Sequence, residues 1–239
     1  MKPLYKRVLL KLSGEALAQG SEGRAIYNYE LLNSICSKIK ECLELGVEVA
    51  IVVGAGNIWR GKQGTDFQRD RADHMGMLAT TINALALQDT LEHLGVDARV
   101  LSAVEMETFT ETYIRAKAVS HLSEGRVVIF ACGIGSPYFS TDTAAVLRAR
   151  EIDAEVVLLA KNIDAVYTAD PRKDPSAVPL KEISYMQVLE QKLAVMDTTA
   201  TSFAMENNLP ALVFGLNDPQ NIVRAVMGER LGTIVKNEI

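Results

Sequence analysis

Short apolar runs separated by longer stretches of helical periodicity constrain this chain more than any other feature. Val8–Leu12, Val47–Val53, Ala98–Ser102, Val127–Cys132, Val156–Ala160, Ala211–Phe214 and a shorter Thr233–Val235 read as strands. Several are apolar throughout instead of alternating with polar residues, the pattern of strands covered on both faces. Between them, helical patterns fall over Tyr29–Leu45, His74–Leu94, Glu111–Ser123, Thr141–Glu151, Ser184–Gln191, Thr198–Asn207 and Pro219–Met227. Gly46, Gly95 and Gly125 stand where helix C-terminal glycines belong, and Asp197 stands where an N-cap does. Alternation sustained in this way predicts an α/β protein, a three-layer αβα sandwich around a largely parallel sheet. No internal repeat or low-complexity tract interrupts it. The stretch from Ala169 to Pro175 reads as a loop that also suits a boundary between two halves.

Composition narrows the function. The 239 residues, 48% of them apolar, suffice for a substantial core. A formal net charge of −5 gives no support for nonspecific nucleic-acid binding, so an anionic substrate needs a local cluster of cations. Cys36, Cys42 and Cys132 form no C-x-x-C, and His74, His93 and His121 lack ligand spacing, so no disulfide framework or bound metal is expected. No apolar run reaches membrane-spanning length and the first residues lack a signal-peptide core. These features predict a cytoplasmic protein without nucleic-acid or membrane partners. Within the pattern His74–Leu94, one apolar stripe comprises Met75, Leu78, Ile82 and Leu85, and another Met77, Ala84, Leu87, Leu91 and Leu94. A helix apolar on two sides belongs either deep in a core or across a subunit interface.

Four strand-to-helix loops carry unusual residues, and in an open parallel sheet they converge on one edge. The first is Lys11-Leu12-Ser13-Gly14. A lysine within an apolar strand needs an anionic partner, and Gly14 permits close backbone approach to a phosphate. On its own the lysine reads equally as a solvated edge residue. The second loop, Gly54-Ala55-Gly56-Asn57-Ile58-Trp59-Arg60-Gly61, combines glycines with a permanent cation in Arg60. It is not a dinucleotide fingerprint, since Trp59 stands where the third glycine would fall, and no G-x-x-x-x-G-K-[ST] occurs in the chain, which excludes a P-loop. The third runs from Gly133 to Asp142. Ser140 and Thr141 suit the cap of the following helix, Tyr138 and Phe139 suit either a planar ring or an anchor to the core, and Asp142 suits either the helix dipole or an orienting role toward Lys11. The fourth, Lys161 to Pro171, gathers an amide, acids and Tyr167 in a mix that suits a nucleoside as well as an ordinary turn.

These loops supply cations, backbone donors and nucleobase-sized surfaces, without a catalytic triad or metal cage. Phosphoryl transfer needs only such parts, since its catalysis is mostly positioning and charge neutralisation. A phosphate-monoester acceptor, with a second pKa of about 6, is largely dianionic at pH 7 and needs no general base.

Five motifs in order resemble the bacterial uridylate (UMP) kinases of the amino acid kinase superfamily over nearly the whole chain. They are Lys11–Leu17, Gly54–Asn57 with Arg60-Gly61, Asp73–Met77, Gly135–Asp142 and Tyr167–Pro171. The resemblance implies one domain over 1–239, with the acceptor site mainly in 1–150 and the ATP site completed by 151–239. It implies transfer of the γ-phosphoryl of ATP, carried with Mg²⁺, to UMP. Lys11, Arg60 and Asp142 would be catalytic. Lys11, Leu12, Ser13, Gly14, Gly56, Arg60, Asn162, Tyr167 and Asp170 would bind ATP, with the choice between Lys161 and Asn162 open. Ala55, Asp73 and the run Ile134, Gly135, Ser136, Pro137, Tyr138, Phe139, Ser140 and Thr141 would bind UMP. The family is homohexameric, activated by GTP and inhibited by UTP, and Gly20, Ser21, Glu22, Gly23, Arg24 and Ala25 lie where its GTP-response region falls. The chain departs from the family in Ala55, where a third glycine is usual, and in Ala165, where Asp-Gly-Val is usual. The alternatives are a sister kinase with an amino-acid or carbamate acceptor, and a catalytically silent nucleotide sensor.

Overall fold

The computed structural model describes residues 2–20, 25–59, 66–171 and 173–238. Its central sheet is built from β1 (Arg7–Leu12), β2 (Glu48–Val53), β3 (Ala98–Ser102), β4 (Glu111–Thr112), β5 (Val127–Ala131), β6 (Val156–Lys161), β9 (Glu182–Ser184), β10 (Ala211–Gly215) and β11 (Thr233–Lys236), after short β7 (Val166–Tyr167) and β8 (Pro179–Leu180), which pair with each other. Among the described residues the nine strands lie in the order β4-β3-β5-β2-β1-β6-β10-β11-β9. Every pairing is parallel except β10 with β11.

Side-chain alternation within the strands explains their continuous hydrophobicity. Val8, Leu10 and Leu12 of β1 enter one core with Val49, Ile51 and Val53 of β2. Leu9 enters the other, with Ala50 and Val52. The first core is covered by α2 (Tyr29–Glu44), α3 (Arg69–His93) and α8 (Gln220–Val226). The second is covered by α4 (Arg115–Ser123), α5 (Thr141–Glu151), α6 (Tyr185–Glu190) and α7 (Thr198–Glu206). The result is the expected αβα sandwich. Lys11 shares the face of Leu9 and therefore points toward α5.

Helix ends follow their local chemistry. Gly46, Gly95 and Gly125 adopt φ of 85°, 78° and 79° just past α2, α3 and α4. Ser140 and Asp197 cap α5 and α7 by accepting from Thr143 N at 3.0 Å and Ala200 N at 3.1 Å. Two expectations need correction. Residues from Glu111 are not helical: Glu111 and Thr112 extend beside β3, Tyr113 N donates to Ser102 O, and β-prone Ile114 precedes the first turn of α4. Helix α3 starts at Arg69, five residues before the apolar pattern does, because Arg69, Asp70 and Arg71 at its start carry no apolar signal. The deep-core reading of this helix also fails. Ala84, Leu87 and Leu91 are fully buried, whereas Leu78 and Ile82 are 55% and 49% exposed.

The carboxyl ends of the parallel strands β1, β2, β5, β6 and β10 share one edge. The chain passes from β1 to β2 on one side, while β6 lies on the other. Beside β1 is therefore the switch point at which open α/β sheets bind ligands.

Candidate active site

At that edge Lys11 Nζ lies 2.8 Å from Asp142 Oδ1, with the two side chains only 12% and 19% exposed. Burial pushes the Asp142 carboxyl upward, but Lys11 and Lys161 overcome this and hold it below the ordinary carboxylate range. Burial also draws the Lys161 ammonium below its usual range, against the opposing pull of Asp142, and Lys11 repels it further. Lys161 Nζ donates to the carbonyl of Val195. Two half-buried lysines thus act on one carboxylate, Lys11 by contact and Lys161 through space, leaving a local excess of positive charge. Lys161, not the exposed Asn162, joins this cluster.

Gly14 opens the short helix α1 (Gly14–Leu17), capped by Ser13, whose Oγ accepts from Ala16 N at 3.1 Å. A Cβ on Gly14 would stand 2.3 Å from Asn57 Oδ1, 2.7 Å from Gly56 N and 2.8 Å from Gly54 O. The turns after β1 and β2 therefore interlock backbone to backbone, which only glycine allows. Ala55 is nearly buried between them. Its φ is not positive, so its methyl is accommodated there.

A cavity of about 760 Å³ opens beside this junction. Ala55, Gly56 and Trp59 form one wall, Asp73, Gly76 and Met77 of α3 a second, and Ile134, Ser136 and Tyr138 through Thr141 a third. Thr141 and Thr143, which flank Asp142, also face it. Gly135 and Pro137 do not. Gly135 instead has φ 83° and would bring a Cβ to 3.0 Å from Ala103 O, so its role is to shape the loop. Asp73 Oδ2 accepts from Arg69 Nε at 2.8 Å and from Tyr138 N at 2.9 Å, and the Arg69 guanidinium lies 5.4 Å from the Tyr138 ring. Tyr138 itself is held at φ 73°, a conformation that costs about 1–3 kcal/mol in a non-glycine residue and marks an imposed geometry.

Some participants were invisible to sequence reasoning. Asp197, read only as a cap, also accepts from Ser140 Oγ and from Thr143 Oγ1 at 3.3 Å, binding the start of α5 to α7 across 57 residues of chain. No local pattern signals that pairing. Arg69 lies outside every apolar stripe and was likewise missed. Arg60, Ser21, Glu22, Gly23 and Arg24 lie outside the described residues. The residues after β6 that the resemblance assigns to ATP are more scattered. Asn162 is exposed, and Tyr167 donates through its hydroxyl to Asp164 Oδ1 at 3.0 Å. The carbonyl of Asp170 accepts from Lys173 N and Asp174 N, both at 2.9 Å. None of the three lines the second cavity, about 360 Å³, which lies near Asp164, Gly215 and Asn221. Among the described residues no cluster of His, Cys, Asp and Glu could by itself hold a metal ion.

A cationic pair at a strand edge, a capped helix start and an adjoining nucleotide-sized cavity define a small-molecule phosphotransferase of the αβα class. The amino acid kinase family model matches residues 6–215, and the chain belongs to that family. It is similar to the UMP kinase of Bacillus anthracis, with 38% identity and a TM-score of 0.94 over 98% of this chain and 97% of that one. The UMP kinase of Ureaplasma parvum matches at 36% identity and a TM-score of 0.91, over 99% and 100% of the respective chains. The uridylate kinase of Archaeoglobus fulgidus matches at 27% identity and a TM-score of 0.73, over 95% and 99%.

Proposed function

We propose that this chain is a UMP kinase, transferring the γ-phosphoryl group of ATP to UMP to give ADP and UDP. The observation that carries the chemistry is the Lys11–Asp142–Lys161 cluster beside the larger cavity. Full-length similarity to two bacterial UMP kinases supplies the acceptor.

In this reading the phosphate of UMP enters along Ala55, Gly56 and Thr141, and its nucleoside lies between Asp73 and the Ile134–Thr141 loop. The acceptor oxygen is already anionic near pH 7, because the second pKa of a phosphate monoester is about 6, so no proton need be removed. The barrier is repulsion between two anionic phosphates. Lys11 bridges the transferring group, Asp142 holds Lys11 in place, and Lys161 adds a second cation from the donor side. Gly14, with Leu12 and Ser13, frames the donor phosphates, and Arg60 contributes a guanidinium. Asn162, Tyr167 and Asp170 belong to the adenosine side. Mg²⁺ arrives as part of the nucleotide substrate and neutralises phosphate charge.

The finer reading extends to a single domain, with acceptor residues before 150 and the donor side completed after it. It includes a cytoplasmic homohexamer in pyrimidine nucleotide synthesis, activated by GTP and inhibited by UTP. The α3 stripe of Leu78 and Ile82 supports association, since such residues are usually covered.

Incubation with ATP and Mg²⁺ and a panel of UMP, CMP, AMP, carbamate and N-acetylglutamate, followed through ADP release, tests the assignment. UMP-dependent turnover is expected. Turnover with an amino-acid or carbamate acceptor instead makes the chain a sister kinase. Nucleotide-dependent thermal stabilisation without turnover makes it a silent sensor.

A further inference from the structure

Asn83 is fully buried on α3, away from every catalytic or binding role described above. A buried amide must satisfy both its donors and its acceptor. Its Nδ2 donates to Gly54 O at 2.7 Å and to Asn57 Oδ1 at 2.8 Å. Its Oδ1 accepts from Tyr27 OH at 2.9 Å and from Asn57 Nδ2 at 3.1 Å. Asn57 Nδ2 also donates to Ile26 O at 2.8 Å. All these bonds converge on the turn whose Gly54 O, Gly56 N and Asn57 Oδ1 crowd against Gly14.

The far end of the same turn is fixed to the same helix. Trp59 Nε1 donates to Ala72 O at 2.8 Å, and the indole lies beside Gly76, its Cδ1 3.7 Å from where a Cβ would stand. Between these anchors the turn carries Ala55 and Gly56 on the cavity wall. We propose that Asn83 is a positioning residue for phosphoryl transfer: it sets the Gly54–Asn57 turn against Gly14, and so fixes the gap in which donor and acceptor phosphates meet. A small misplacement of reacting groups costs about 10²-fold in rate, so a residue that never touches substrate can govern kcat. This rests on the UMP kinase reading for its rate measurement, but the placement of the turn has its own readout. Trp59 is the chain's single tryptophan and rides on the turn.

The test compares wild type with Asn83→Leu, Tyr27→Phe and the pair Asn57→Ala and Asn83→Ala, singly and combined. Rates are measured well below the unfolding midpoint, with folding checked by circular dichroism and size. The expected result is a kcat at least tenfold lower in folded Asn83→Leu, with KM for UMP changed less than threefold. Tyr27→Phe should lower kcat about threefold, and the Trp59 emission of ligand-free Asn83→Leu should shift. In the cycle, the double variant should lose less than the product of the two single losses, since both substitutions break the paired Asn57–Asn83 bonds while each also breaks bonds of its own. A kcat within twofold of wild type in Asn83→Leu, or multiplicative losses in the double variant, would overturn the proposal. Should Asn83→Leu fail to fold, Tyr27→Phe decides by the same twofold limit. Absence of UMP turnover in wild type itself would count against the kinase reading. An unshifted Trp59 spectrum would count against the role of Asn83.

Discussion

Lys11 sits on a strand whose neighbours are completely buried, and Asp142 at 2.8 Å makes that position tenable. Its role is tested by Lys11→Met, which keeps the stem and removes the charge. Loss of one preorganised charge-stabilising group lowers kcat by about 10²–10³. We expect at least that loss, measured by ADP release, with an unchanged far-ultraviolet spectrum. Asp142 makes a second prediction. Its folded pKa is below the ordinary 3.8, so between the two values the unfolded chain binds more protons than the folded one. Its contribution to stability is therefore complete above that ordinary value and disappears as pH falls through the lower folded one. Urea midpoints from pH 6 downward should fall less steeply in Asp142→Asn than in wild type, and parallel curves would remove Asp142 from the acid response. The sequence offered Asp142 either as a helix-dipole partner or as an orienting group for Lys11, and the structure brings the two side chains together. Lys161 remained one of two options because loop composition cannot say which side chain turns inward.

Elements with strong periodicity and a capping residue were readable to their ends. Thr141–Glu151 and Ala98–Ser102 have the bounds that the sequence implied. What escaped was held together by distant partners. The strands β7, β8 and β9 are two or three residues long and acquire their conformation from pairing alone. Asp197 fastens α7 to the loop before α5 for the same nonlocal reason. The interlocked turns after β1 and β2 invite a paired prediction. Gly14→Ala forces a methyl into the backbone of Gly54 and Gly56, whereas Gly56→Ala meets only the flexible Glu15 side chain, at 2.8 Å from its Oε1. Overpacking against rigid neighbours costs about 1–3 kcal/mol or more. Gly14→Ala should therefore lower the thermal midpoint by several degrees and abolish turnover. Gly56→Ala should shift the midpoint much less, with its main effect on nucleotide KM. Equal midpoints for the two variants would mean that the turns are not locked together.

At the scale of the molecule, the sheet order places β1 between β2 and β6, so the end of β1 lies between the loops that follow both neighbours. The helix that walls the larger cavity with Asp73 and Met77 also presents Leu78 and Ile82 outward. Tyr27, bonded to Asn83 on that helix, carries the exposed Ile26 and Tyr29 beside it in sequence. An apolar row next to this cavity wall is costly in water and suits a self-complementary contact about a two-fold axis. A charge at its centre should break that contact, because an unpaired lysine cannot be desolvated cheaply. We expect Ile82→Lys to elute as a smaller species than wild type in sizing chromatography while remaining folded. Its kcat should fall with the same concentration dependence as dissociation, since α3 anchors the Gly54–Trp59 turn at Asn83 and Ala72. A variant of unchanged size would separate the stripe from assembly. A fully active monomer would show that the helix holds the turn without help from a neighbouring subunit.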